Sequence, residues 1–146
     1  MYIYNLGLSI ALNDAITISA ISFTYYDNSQ IYSSIIDEFN KYSVEKNLNI
    51  TLNLQLYTPM NSTIYTDDYG SVVESFLKKK KENTYDIFFY NNIYSPRFGK
   101  YFYDLKEILP KEHIDMYDPF VLSQSCSYGN KIVGLVNIYI FILSII

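Results

Sequence analysis

Apolar and polar positions along this chain switch repeatedly between a period of two and a period near 3.6. Ile16-Thr-Ile-Ser-Ala-Ile-Ser-Phe23 alternates, carries β-branched residues, and predicts a strand over 16–23. Tyr25, Tyr26, Asp27, Asn28 and Ser29 then form a polar loop whose Asp, Asn and Ser side chains can cap a helix starting there. From Gln30 to Glu45, Ile31, Ile35, Phe39 and Tyr42 recur at helical spacing with Asp37, Glu38 and Lys41 off the stripe, predicting an amphipathic helix. Asn47 ends it, and Ile50–Tyr57 alternates strictly, predicting a second strand. Past a loop rich in Pro, Asn, Ser and Thr at 58–66, a second helix is predicted over 67–81. Its inward positions are Val73, Phe76 and Leu77, with Asp67 and Asp68 at the positive pole. Tyr85-Asp-Ile-Phe-Phe-Tyr90 is nearly all apolar, as a strand covered on both faces should be. Strands joined by helices of this length require crossovers and a parallel sheet. The fold class is therefore α/β, a three-layer βαβαβ lobe with a mostly parallel sheet.

Beyond residue 95 the pattern is less regular. Pro96–Tyr103 reads as a short helix, Leu105–Leu109 as an extended or turn segment before Pro110, and His113–Phe120 as another helical turn. Ser127–Val136 reads as a turn leading into a strand. The run Ile138-Tyr-Ile-Phe-Ile-Leu-Ser-Ile-Ile146 is shorter than the ~20 residues that span a bilayer. It has no cap, turn signal or amphipathic period, so it is either a buried strand or residues that belong to no native fold. We expect residues 137–146 to be an apolar tail foreign to the lobe formed by 16–136. At the other end, Leu6–Leu12 is a short apolar stretch followed by the small Ala15, the shape of a worn secretory signal over residues 1–15. No Lys or Arg precedes it and Asp14 sits at the cleavage point, so an ordinary extension is the alternative.

Composition adjusts this picture in a few places. The 146 residues carry a formal net charge of −4, and the one basic cluster, Lys78–Lys81, runs straight into Glu82. That pattern is a solvated helix end rather than a nucleic-acid footprint. The 17 tyrosines, with many Ile and Asn and no Trp, fit either a compositional skew or a stacking surface. A single cysteine, Cys126, and a single histidine, His113, leave no disulfide, no metal cluster and no nucleophile–histidine dyad to build. The five glycines are scattered, with no phosphate-cradling loop, and no cofactor is expected. Asn49-Ile-Thr51 and Asn61-Ser-Thr63 are glycosylation sequons that lean toward an extracellular setting.

The order of segments resembles the extracellular solute-binding proteins of the sugar-binding, maltodextrin type, with the periplasmic-binding-protein type II fold. The resemblance rests on ITISAISF, SSIIDEFNKYSVEKNLNITLNLQ, SVVESFLKKKKENTYDIFFYNN, FYDLKEIL and SYGNKIVGLV, in the family's order from Ile16 to Val136. Val136 stands where that family carries proline, and the family's hinge and second lobe do not come after it. The Asn/Ile/Tyr-rich style is also similar to fungal relatives attached to seven-helix receptor domains. The resemblance implies an incomplete N-terminal lobe, secreted or on the outer cell face, that partners a membrane receptor or transporter domain encoded elsewhere.

In open α/β sheets, ligands sit beyond the carboxyl ends of the strands. Tyr25, Tyr26, Asp27, Asn28, Tyr90, Asn91 and Asn92 are accordingly the expected ligand-binding residues: planar polar groups for hydroxyls, aromatic faces for sugar C–H surfaces. Capping and loop roles are the alternative for each. The expected function is binding of a sugar or oligosaccharide for transport or sensing. A truncated inactive product and a small α/β enzyme are the competing readings. For the enzyme, Asp67 and Asp68 start a helix and Asp86 opens a strand, away from the edge where chemistry would occur.

Overall fold

The computed structural model describes residues 15–24, 29–58, 60–62, 68–79, 85–136 and 141–145. Eight-residue strands β1 (Ile16–Phe23) and β2 (Ile50–Tyr57) flank helix α1 (Ser29–Glu45) in sequence. They pair in parallel, in register from Ile16 with Ile50 to Phe23 with Tyr57. Helix α2 (Tyr69–Lys78) leads to β3 (Ile87–Asn91), which pairs in parallel with the other side of β1. The molecule is thus α/β, with three parallel strands between helical layers. The helix stops are local. Asn47, at φ 53°, closes α1: its amide donates to the Val44 carbonyl and that of Leu48 to the Ser43 carbonyl. This is the Schellman pattern, with Asn in the left-handed position. Asp68 starts α2 by accepting a hydrogen bond from the Ser71 amide at 3.2 Å.

Strand alternation sorts the core into two faces. Ala20 and Phe89 meet Tyr32 of α1, with Leu52, Leu54 and Leu56 half-buried beside them. Ile21, Phe23, Phe88 and Tyr90 lie on the opposite, thicker side, against Val73 and Leu77 of α2. Both α2 side chains are fully buried, a gain of roughly 1.5–3 kcal/mol each.

After β3 the chain folds into short helices: α3 (Ser95–Phe98) with 3₁₀ turns on either side, α4 (Leu105–Ile108), α5 (Lys111–Ile114) and α6 (Pro119–Ser125). Two go beyond the sequence reading. Of the extended and turn alternatives for Leu105–Leu109 the structure takes a helical turn, because the Asp104 carboxylate accepts from the Lys106 amide at 3.2 Å and caps it. The helical turn expected over 113–120 is split. Pro110 precedes α5, and α6 begins at Pro119 under Asp118, which accepts from the amides of Phe120 and Val121. Proline at the first helical position loses no hydrogen bond.

A two-strand hairpin comes next, β4 (Ser127–Tyr128) and β5 (Lys131–Ile132), turning through Gly129 at φ 58°. Gly99 lets Tyr128 lie against the end of α3, since a Cβ there would stand 2.4 Å from the Tyr128 Cβ. The last strands are β6 (Leu135–Val136) and β7 (Phe141–Ile145), and the sheet order is β2-β1-β3-β7-β6. For residues 141–145 this corrects the expectation of a foreign tail and takes the alternative, a strand. Phe141–Ile145 is a strand inside the sheet, antiparallel to β3 from Ile87–Ile145 to Asn91–Phe141 and antiparallel to β6. Residues 137–140 and 146 lie outside the described residues, as do 1–14 of the proposed signal.

Cys126 sits in the core with no exposure, and burial pushes its thiol up to about 11. Since the thiolate is the reacting form, native chain at pH 8 is expected to label with a thiol reagent at least ~100-fold more slowly than urea-unfolded chain. Equal rates would place Cys126 outside the core.

Candidate functional site

Because β1, β2 and β3 run parallel, their carboxyl ends and the start of α2 come to one edge of the sheet. Thr24 directly succeeds β1 there, buried, with its amide donating to the Tyr57 carbonyl at 3.0 Å. Thr58 directly succeeds β2, and a tight turn forms around it. Its amide donates to Asn61 Oδ1 at 2.8 Å, and its Oγ1 accepts from the Met60 amide at 3.2 Å. Asn91 ends β3 and Asn92 opens the 3₁₀ turn that carries Tyr94. The Tyr94 ring stacks on Phe98 at 5.3 Å and leans on Tyr69, the first residue of α2, at 4.9 Å.

The expected ligand residues fare differently. Tyr25, Tyr26, Asp27 and Asn28 lie outside the described residues. Asn91 and Asn92 do reach the edge, half-buried, each with one amide atom committed. Asn91 Oδ1 accepts from the Ile93 amide at 3.1 Å, and Asn92 Nδ2 donates to Ser125 Oγ at 3.2 Å, tying β3 to the end of α6. Tyr90 is a correction. It has no exposure, stacks on Phe102 at 5.3 Å and meets Phe98 edge-on at 5.5 Å. β3 runs one residue past it, so alternation turns its ring into the core rather than toward a ligand. Of the sequons, Asn49 is exposed at φ 56° in the turn before β2. Asn61 is exposed but holds its turn, with Nδ2 donating to the Leu56 carbonyl at 2.9 Å, and Thr63 lies outside the described residues.

Sequence reasoning missed a charged cluster beside this edge. Glu74 of α2 receives Arg97 Nε and Nη2, both at 3.0 Å on Oε2, and the Tyr101 hydroxyl at 2.8 Å on Oε1. Lys100 and Lys78 approach Oε1 at 3.1 and 3.6 Å. Arg97 Nη2 also donates to Ser71 Oγ at 2.9 Å, and Nη1 crosses Gly70, where a Cβ would stand 2.3 Å away. Only the Glu74–Lys78 pair, at helical spacing, was visible in the sequence. The Tyr101 hydroxyl first, then Arg97 and Lys100, hold the Glu74 carboxyl down to about 2 from its ordinary 4.5. Glu74 is therefore ionised throughout the neutral range and clamps α3 to α2.

A carboxyl with a lowered folded-state pKa stabilises the fold above its unfolded value and loses that contribution as pH falls toward the folded one. The urea midpoint is expected to fall more steeply between pH 4.5 and about 2 for the natural chain than for Glu74→Gln. Superimposable profiles would show that the clamp contributes nothing.

Among the described residues, no group of three His, Cys, Asp or Glu side chains could hold a metal ion, and no helix is long and apolar enough to cross a membrane. No protein-family model matches the chain, and no curated protein matches it significantly. Among solved structures it is similar to a de novo designed cysteine esterase, with a TM-score of 0.60 and 20% identity over 82% of this chain and 27% of that one. It is also similar to a de novo designed esterase improved by directed evolution and rational design, with a TM-score of 0.57 and 20% identity over 83% of this chain and 27% of that one. The chain thus spans about a quarter of the length of both structures, and likeness at this identity concerns the fold alone.

Proposed function

We propose that this lobe holds a small polar solute, a sugar or oligosaccharide, at the carboxyl edge of β1, β2 and β3, for transport or sensing at the outer face of the cell. The observation that supports it is the meeting of Thr24, the Thr58 turn, Asn91, Asn92 and Tyr94 at one edge of a parallel sheet. Asn91 Nδ2 and Asn92 Oδ1 have no partner among the described residues, so a donor and an acceptor remain for solute hydroxyls. Tyr94, half-buried, adds an aromatic surface. A second lobe closing over the solute would provide the burial that one edge cannot.

The esterase activity of the designed proteins does not transfer on the residues here. Cys126 is buried and its thiol is pushed up to about 11, the reverse of an activated nucleophile.

A single lobe makes one-sided contacts, so millimolar affinity is expected, about −4 kcal/mol. Ligand-observed NMR with glucose, maltose and maltotriose reads that range. The proposal expects saturable transfer to at least one sugar, reduced by Asn91→Ala and Asn92→Ala and unchanged by Tyr90→Phe. Absence of saturable binding for all three sugars in folded protein overturns it in favour of an inactive product.

A further inference from the structure

The outer strand of the sheet on the α1 side is β2, and its sequence ITLNLQLY carries no charge and no proline. Edge strands normally rely on such residues to refuse a neighbour. Here the protection comes from elsewhere. The Asn49 and Tyr57 carbonyls accept from the amides of Ile16, which opens β1, and Thr24, which directly succeeds it, so odd-numbered residues turn their backbone groups inward. By alternation Ile50, Leu52, Leu54 and Leu56 turn theirs outward. Side chains fill that row. Ser43 Oγ donates to the Ile50 carbonyl and accepts from its amide. Asn40 grips Leu52 with both ends of its carboxamide, Oδ1 accepting from the amide at 2.8 Å and Nδ2 donating to the carbonyl at 3.0 Å. Asn61 Nδ2 covers the Leu56 carbonyl at 2.9 Å.

Leu54 alone keeps both its outward amide and its carbonyl clear of any side-chain partner among the described residues. It lies in a groove of about 410 Å³ between α1 and β2, with Ser33, Ile36, Asp37 and Asn53 also lining it. The register Ser43 to Ile50 and Asn40 to Leu52 advances three residues on α1 for two on β2, which brings Asp37 level with Leu54. A carboxylate only accepts, so it cannot serve the Leu54 carbonyl.

We propose that this groove binds a primary carboxamide at Leu54, in the manner in which Asn40 is held at Leu52. A primary amide presents its oxygen and an N–H on one edge, matching the carbonyl and amide of a single strand residue. A trans secondary amide presents them on opposite edges and cannot. A full added strand is excluded, because Asn40 and Asn61 occupy the flanking positions. The carboxamide comes either from a free small molecule or from a glutamine side chain on a partner peptide. The site is separate from the carboxyl edge and does not depend on the solute reading.

The test is the Leu54 amide resonance of the full chain, titrated with isobutyramide and with N-methylisobutyramide. The proposal expects a saturable Leu54 shift with the first and roughly tenfold weaker binding of the second, which loses a hydrogen bond. Asp37→Asn supplies a carboxamide from α1 itself and is expected to abolish the response in a folded protein. A blocked Ala-Gln-Ala peptide with an N-methylamide terminus distinguishes the sources: tighter binding than isobutyramide points to a partner chain, equal binding to a free amide. No saturable Leu54 shift with isobutyramide, equal response to its N-methyl analogue, or a full response in Asp37→Asn overturns the proposal.

Discussion

A chain ending at Val136 is expected to lose its cooperative thermal transition. That truncation removes β7, which pairs with β3 along Ile87–Asn91 and with β6 at Leu135 and Val136. It also takes away the Ile145 carbonyl that accepts from the Tyr103 amide at 3.0 Å. Losing about five backbone hydrogen bonds, at about 1 kcal/mol each, is already comparable with the ~5–15 kcal/mol that holds a typical domain together. The newly bare edge of β3 would lie beside Phe88, Phe89 and Tyr90, and an unprotected edge invites association. Circular dichroism melts of the full and shortened chains, with light scattering, read both effects. An unchanged midpoint in the shortened chain would return residues 137–146 to the status of a foreign tail.

The second large effect is at Tyr90. Alanine there empties a site enclosed by Phe98 and Phe102, and is expected to cost ~3–5 kcal/mol by urea denaturation. Phenylalanine keeps the ring and gives up the hydroxyl, whose oxygen stands 3.5 Å from Ser95 Oγ, for about 1 kcal/mol. A ligand residue at the lip of a cleft would give the opposite pattern: little loss of stability with either substitution, and weaker solute binding with both.

The first half of the fold was legible because its signals are local. Strict alternation in Ile50–Tyr57, the helical period of α1 and the stop at Asn47 each stand within one turn or one strand of sequence. The expected stripe of α1 is nevertheless displaced by one position: Ile35 and Tyr42 are exposed, while Tyr32, Ile36 and Ser43 are buried. β7 was not, because an apolar run with no caps looks alike as a buried strand and as a stray tail. Its neighbour in the sheet, β3, pairs with it across 50 to 58 residues of sequence, from Asn91–Phe141 to Ile87–Ile145. Tyr90 was misassigned by a single residue of strand length, since β3 reaches Asn91 and carries Tyr90 inside. Asp104 could have been read as a cap, but its second contact, from the Ile132 amide at 3.1 Å, depends on the hairpin folding back. The Glu74 cluster gathers Arg97, Lys100 and Tyr101 from α3 and the 3₁₀ turn after it onto α2, and no periodicity signals such a meeting.

The central claim, that a polar solute sits at the carboxyl edge of the parallel strands, is tested most directly by protein-observed NMR. Amide shifts of the full chain would be tracked through a millimolar titration with maltotriose. Binding at this edge predicts saturable shifts gathered at Thr24, Thr58, Asn61, Asn91, Asn92 and Tyr94, with the buried strand interior around Ala20 and Ile21 unmoved. Saturable shifts confined to another surface, such as the exposed Met116 and Phe120 beside α5 and α6, or no saturable shift at all, would contradict it.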